Sequence, residues 1–136
     1  MKFKLYIITL LIFLGIDSIW LGFVAPSFYR TYIGFIMKEN PDLLAAGLFY
    51  LLFVFGMVTF VVEPGVHADT PSQSVLHGAL FGLVTYATYD LTNLATLEGW
   101  PVIVTVVDMA WGTILSGLVA FISIWVGKGF LKSSGS

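Results

Sequence analysis

The sequence predicts an all-α protein, a bundle of four transmembrane helices with an interfacial amphipathic helix between the first and second spans. Three observations predict it. Of 136 residues, 58% are hydrophobic and only 10% are charged, whereas a soluble domain carries roughly 25% charged residues. Four runs of mostly apolar residues reach the length of about 20 needed to cross about 30 Å of hydrocarbon. Each run is bounded by helix-breaking residues, so the pattern reads as separate helices joined by short connections. The solvent for much of this surface is therefore the lipid bilayer. A cytosolic enzyme and a disordered tail are excluded by the same counts, and a disulfide scaffold by the absence of cysteine. The formal net charge of −2 and the lack of any basic run leave no basis for binding nucleic acid.

The expected helices cover about 3–24, 43–62, 73–96 and 101–126, within a single integral membrane domain over 1–132 followed by a tail at 133–136. The first is stopped by Ala25-Pro26, because proline disfavours helix in the residue before it. Lys2 and Lys4 precede its apolar stretch as in a signal peptide, but the stretch is too long, contains Asp17 and lacks a small-residue cleavage site. The second opens at Asn40-Pro41-Asp42 and is expected to close at Glu63-Pro64-Gly65. The fourth begins with Pro101, which is tolerated in a first helical turn where its missing N–H needs no partner.

Between the first two spans, residues 27–40 place Phe28, Tyr29, Tyr32, Phe35 and Ile36 at approximately helical spacing, with Arg30, Lys38 and Glu39 elsewhere. This is the pattern of an amphipathic helix lying at the headgroups. Tyr29, Tyr32 and Trp100 form an aromatic belt on one reading, and the segment covers a site on the other. An even number of spans puts both termini on one side. That side holds Lys2, Lys4, Lys128 and Lys132 against Arg30 and Lys38 opposite, so the termini are expected in the cytoplasm.

The informative residues are three aspartates within the spans, Asp17, Asp90 and Asp108; the other eleven charges fall at ends and loops. A charge at mid-bilayer costs at least about 2.5 kcal/mol, so such residues face the bundle interior. The first and third helices run outward and the fourth inward, so at 1.5 Å per residue each aspartate lies about 10 Å from the same membrane face, and the three share one layer in the outer half. Gly78, Gly82, Tyr86, Asp90 and Asn93 recur on one face of the third helix. Thr105, Asp108, Gly112, Ser116 and Ala120 do so on the fourth, and both small, polar stripes are expected to point inward. The second helix offers only Tyr50 and Thr59 and is expected to provide a wall without polar contacts to the site.

Asp17-Ser18-Ile19-Trp20 and Asp108-Met109-Ala110-Trp111 are both Asp-x-x-Trp, a spacing that sets an indole beside a carboxylate. Trp20 and Trp111 are expected as roof and floor of a pocket with an acidic middle layer. Asp17, Trp20, Tyr86, Asp90, Asn93, Asp108 and Trp111 are thus the candidate ligand-binding residues. No basic residue lies at this depth, so an ionised layer requires a proton, a metal ion or a cationic ligand. The competing reading is that these groups only bridge helices, at about 0.6 kcal/mol per hydrogen bond.

Other chemistry finds little support. Glu63, His67, Asp69 and His77 cluster in sequence without a recognised metal spacing, and a solvated loop accounts for them. Both histidines lie near the face opposite the aspartates, so no Ser/His/Asp set assembles. There is no phosphate-binding loop, and no lysine in a span that could carry a Schiff base; neither a cofactor nor a resident metal is called for. The functions left open are binding of a small ligand, lipid or cation; a lipid-directed enzyme using paired carboxylates; a proton- or cation-coupled transporter, as a homo-oligomer; and a structural accessory subunit.

Tyr89-Asp90-Leu91-Thr92-Asn93-Leu94-Ala95-Thr96, then Trp100-Pro101, then Asp108-Met109-Ala110-Trp111-Gly112-Thr113, with Asp17-Ser18-Ile19-Trp20-Leu21-Gly22 upstream, resemble a family of small predicted bacterial inner-membrane proteins catalogued only as a domain of unknown function. The resemblance covers nearly the whole chain. It implies a four-helix protein of the bacterial inner membrane and carries no activity with it.

Overall fold

The computed structural model describes residues 2–135, and the side chains of residues 2–131. Five helices account for most of it: α1 (Lys2–Phe23), α2 (Ala25–Ile33), α3 (Leu43–His67), α4 (Ser72–Thr96) and α5 (Val102–Gly135). Among the described residues there is no strand. Lys2–Phe23, Leu43–His67 and Val102–Leu131 are long and apolar enough to cross a membrane. Helix α4 has the length, 25 residues, but is more polar than the others, carrying Gln73, Ser74, His77, Thr85, Thr88, Asp90, Thr92 and Asn93.

Two helices run past the ends expected for them. The sequence reading closes the second at Val62, yet it continues to His67 through a wide π-helical turn at Val58–Val62, in which the Glu63 N–H bonds back to the Val58 carbonyl. Pro64 in an ordinary α-helix would clash with the carbonyl four residues earlier and leave it unpaired. The added residue of a π-turn absorbs that misfit. Glu63, expected in a loop, is therefore part of the helix. The last helix, expected to stop at 126, continues to Gly135, taking in most of the polar tail at 133–136; Ser136 lies outside the described residues. Lys128 on that extension donates to the Ala68 carbonyl at 2.6 Å, satisfying the C-terminus of α3.

Residues 27–40 are helical only in part. Helix α2 begins with Pro26 in its first turn and passes into a 3₁₀ turn, Gly34–Ile36, before the chain extends to Asp42. The Asp42 carboxylate accepts from the Ala45 N–H at 3.1 Å and caps α3. Ile33 of α2 is buried against Trp100 and Val104, so this segment is docked on the α4–α5 turn. Trp100, read as an aromatic belt residue, is 7% exposed, and its indole donates to Thr105 Oγ1 at 3.0 Å. Gly99 turns the chain there with φ +79°, and Phe35 lies 3.3 Å from where a side chain would begin.

Helices α4 and α5 pack along most of their length through the two small-residue stripes. A methyl group on Gly78 would sit 2.6 Å from Ala120 Cβ, one on Gly82 would meet the Gly112 carbonyl and Ser116, and one on Gly112 would meet the Tyr86 ring. Both stripes face each other, as their spacing predicts. The larger of two apolar clusters, including Phe13, Phe53, Met57, Val62, Leu115 and Val119, joins α1, α3 and α5. The molecule thus has two ends: a lysine end holding Lys128, Ala68 and Gly127 against Leu5, and an aspartate end holding Asp17, Asp90 and Asp108.

Candidate functional site

At the aspartate end, the period of each helix brings its carboxylate to the interior. Asp17 is 6% exposed, Asp108 5% and Asp90 0%. A buried carboxylate requires donors, and two neighbouring helices supply them to Asp17. Tyr50 of α3 donates to its Oδ2 at 3.2 Å, and the Trp111 indole of α5 approaches its Oδ1 at 3.4 Å. The second helix, expected as a bare wall, thus supplies a hydroxyl to the site.

Asp108 is served from the other direction. Tyr29, on the short helix α2, donates to Asp108 Oδ1 through a close hydrogen bond, and accepts in turn from the Trp20 indole at 3.3 Å. Burial holds the Tyr29 hydroxyl well above its ordinary range, and the adjacent Asp108 carboxyl adds to the effect, so Tyr29 is a donor at any physiological pH. Each Asp-x-x-Trp indole therefore reaches toward the opposite helix's aspartate, Trp111 directly and Trp20 through Tyr29. The indoles stack on each other, with ring centroids 4.5 Å apart and planes 11° apart. They do not form roof and floor. With α1 and α5 side by side and their aspartates level, the two indoles meet and close one wall, leaving no space between them.

Asp17, Trp20, Tyr29, Tyr50, Tyr86, Asp108 and Trp111 line a cavity of about 420 Å³, completed mainly by apolar side chains such as Leu21, Ile33 and Phe49. No lysine, arginine or histidine is among its described lining residues. Of the seven candidates from sequence, five line this space and two do not. Asp90 lies behind it beside Asp108, with neither carboxyl oxygen meeting a donor at hydrogen-bond geometry; its backbone carbonyl accepts from Thr105 at 3.4 Å. Asn93 sits by the Tyr89 hydroxyl. Sequence reasoning passed over Tyr29 and Tyr50 as partners of the aspartates. Tyr50 carries a detectable signal, as one of two polar residues in an apolar run. Tyr29 lies in the segment that one reading sets over a site, but its contact with Asp108 depends on how α2 folds back.

At the lysine end, Glu63, His67, Asp69 and His77 do not assemble: among the described residues no three acidic or histidine side chains are grouped so as to hold a metal ion. No curated protein and no solved structure gives a significant match to the chain. The family model described as "Predicted membrane protein (DUF2177)" matches residues 2–125, which include all five helices' contributions to the aspartate end. The apolar helices and that match agree, and the chain belongs to this family of predicted membrane proteins of unknown function.

Proposed function

We propose that the chain crosses the bilayer four times and binds a small ligand in the cavity between Asp17 and Asp108. The observation that carries this reading is the convergence of two buried carboxylates, two indoles and four tyrosines on one space of about 420 Å³ without a basic side chain among its described lining residues. That volume is within the range of small-molecule sites, which combine apolar walls with a few convergent polar groups. Asp17 and Asp108 act as charge sites, Tyr29, Tyr50 and Tyr86 as orienting hydroxyls, and the stacked indoles as a rigid wall. Asp90 and Asn93 act from behind the lining. Termini in the cytoplasm, a bacterial inner membrane and a homo-oligomeric state belong to the same proposal.

Helix α4 is the span to test. The chain has no cysteine, so Lys38→Cys, Thr70→Cys and Glu98→Cys can be labelled singly in sealed vesicles with a membrane-impermeant maleimide. Four spans put Thr70 on one side and Lys38 and Glu98 on the other; labelling of Thr70→Cys and Glu98→Cys from the same side rules out a crossing by α4. For the cavity, the full chain in lipid nanodiscs is titrated with octyltrimethylammonium, octyl sulfate, octanol and sodium ions while tryptophan emission is followed. Uptake of any of these by the wild type and its loss in Ala46→Trp, which fills the lining, supports the site. No uptake of any probe removes it.

A structural role is the second reading, favoured by the fact that both oxygens of Asp17 are already engaged by Tyr50 and Trp111. Under it, Asp17→Asn alters stability and no probe distinguishes wild type from Ala46→Trp.

A further inference from the structure

The cavity at the aspartates does not end at its own lining. A second space of about 390 Å³, lined by Phe49, Thr85, Tyr86 and Tyr89, shares Phe49, Tyr86 and Tyr89 with the first. The two are neighbouring parts of one cleft between α3 and α4. The helices that flank it diverge at this level: α3 and α4 pack against each other chiefly from Val58 onward. Nearer the aspartates they are bridged by rings, Phe53 against Phe81 at 5.3 Å and Phe53 against Tyr86 at 6.5 Å. Phe49 and Tyr89, at the mouth, are both exposed.

The cleft is graded in chemistry. Its inner part presents two carboxylates, with no described basic side chain to neutralise them. Its outer part presents aromatic rings and the Thr85 side chain, whose hydroxyl is turned back onto the Phe81 carbonyl at 2.9 Å, leaving that part apolar. Resting on the binding reading above, we infer that the occupant is an amphiphilic ammonium ion, held by its nitrogen between Asp17 and Asp108 and by its apolar tail along Phe49, Tyr86 and Tyr89 toward the lipid. An anionic head meets two carboxylates and no described cationic side chain to offset them. A hard divalent cation completes six or more oxygen ligands with waters, which beyond the two carboxylates would have to be held against a mainly apolar lining. A quaternary alkylammonium is weakly hydrated, and any alkylammonium is attracted both to carboxylates and to the faces of tyrosine and tryptophan rings. The opening between α3 and α4 lets such a molecule arrive sideways from the membrane, with its tail never entering water.

The test uses the full chain in nanodiscs and four probes: octyltrimethylammonium, octyl sulfate, octanol and tetramethylammonium. Binding of octyltrimethylammonium is expected to be about tenfold or more tighter than that of each of the others, the scale of a desolvated cation–aromatic contact. Asp17→Asn and Asp108→Asn each weaken it by about tenfold and leave octanol unaffected; Phe49→Ala weakens the octyl compound and leaves tetramethylammonium unaffected. Where an aspartate variant does not fold, the wild-type probe series and Phe49→Ala decide. Preference for octyl sulfate or octanol, blocked by Ala46→Trp, overturns the ammonium and leaves the cavity standing. Equal binding of tetramethylammonium and its octyl homologue overturns the tail. Repeating the titration with phosphatidylethanolamine added to phosphatidylglycerol nanodiscs separates the sources of the head group: competition identifies an aminolipid, and unchanged affinity a free amphiphile.

Discussion

The two ends of the molecule solve the same packing problem with different materials. At the lysine end and through the middle, α3, α4 and α5 approach closely at glycines that leave no room for a Cβ. Gly65 lies against Ile124 and Ser74, and Gly127 lies 2.7 Å, measured from a virtual Cβ, from both Leu5 and Val66. At the aspartate end the helices are held apart by tyrosine and tryptophan rings, and the space between them is a cavity. Small residues let backbones approach where packing is the main source of helix association in lipid. Large rings with polar tips do the reverse, spacing the helices while satisfying buried carboxylates. Stability is thus concentrated in one region and accessible space in the other, and substitutions should separate the two.

The largest effect is expected at the closest approach. In Gly82→Ala the added methyl meets the Gly112 backbone carbonyl, an atom that cannot move without shifting α5. Overpacking of this kind costs about 3 kcal/mol, read as a fall in the unfolding midpoint in detergent or nanodiscs. An unchanged midpoint would show that α4 and α5 are not in register as described. Phe13→Ala follows. Phe13 is fully buried between Phe53 and Tyr50, with ring centroids at 5.2 and 5.4 Å, and its removal should cost about 3 kcal/mol. Because it stands between the aspartate end and the core, it should also change tryptophan emission from the cavity wall, which Gly82→Ala should not do at equal fractions folded.

Much of this division is readable in sequence. Gly78, Gly82 and Gly112 fall at spacings of four on their helices, and a repeat of small residues has one physical use between apolar helices. The level of the three aspartates follows from counting residues at fixed rise. What the sequence does not carry is which groups meet across helices. The choice of Trp111 for Asp17, and of Tyr29 as relay from Trp20 to Asp108, depends on the rotation of α1 against α5 and on the fold of α2, neither of which periodicity determines. The continuation of α3 past Pro64 is hidden for a related reason, since a π-turn has no residue signature and proline ordinarily signals an end.

Substitutions at the aspartate end should be milder for stability. Tyr50→Phe removes one hydrogen bond to Asp17 and keeps the ring on Phe13. The expected loss is about 0.6 kcal/mol, the average for an interhelical hydrogen bond in membranes, while binding of octyltrimethylammonium changes by more than stability does. A loss comparable to Phe13→Ala would assign Tyr50 to the scaffold and favour the structural reading of the aspartates.

The smallest expected effect tests whether the outer surface of α1 is free. Gly15 has nothing within 4 Å of an added Cβ, in contrast to Gly82, although both stand inside long helices. With no clash to oppose it, Gly15→Ala should gain the helix-propensity term alone, about 0.5–1 kcal/mol of added stability. Helices in lipid associate through such small-residue positions, so the sign of the change is informative. A gain leaves this face of α1 to lipid. A loss, especially one that grows with protein concentration, would mean that a second chain packs on Gly15, and any homo-oligomer would then be built on the α1 surface, away from the α3–α4 cleft.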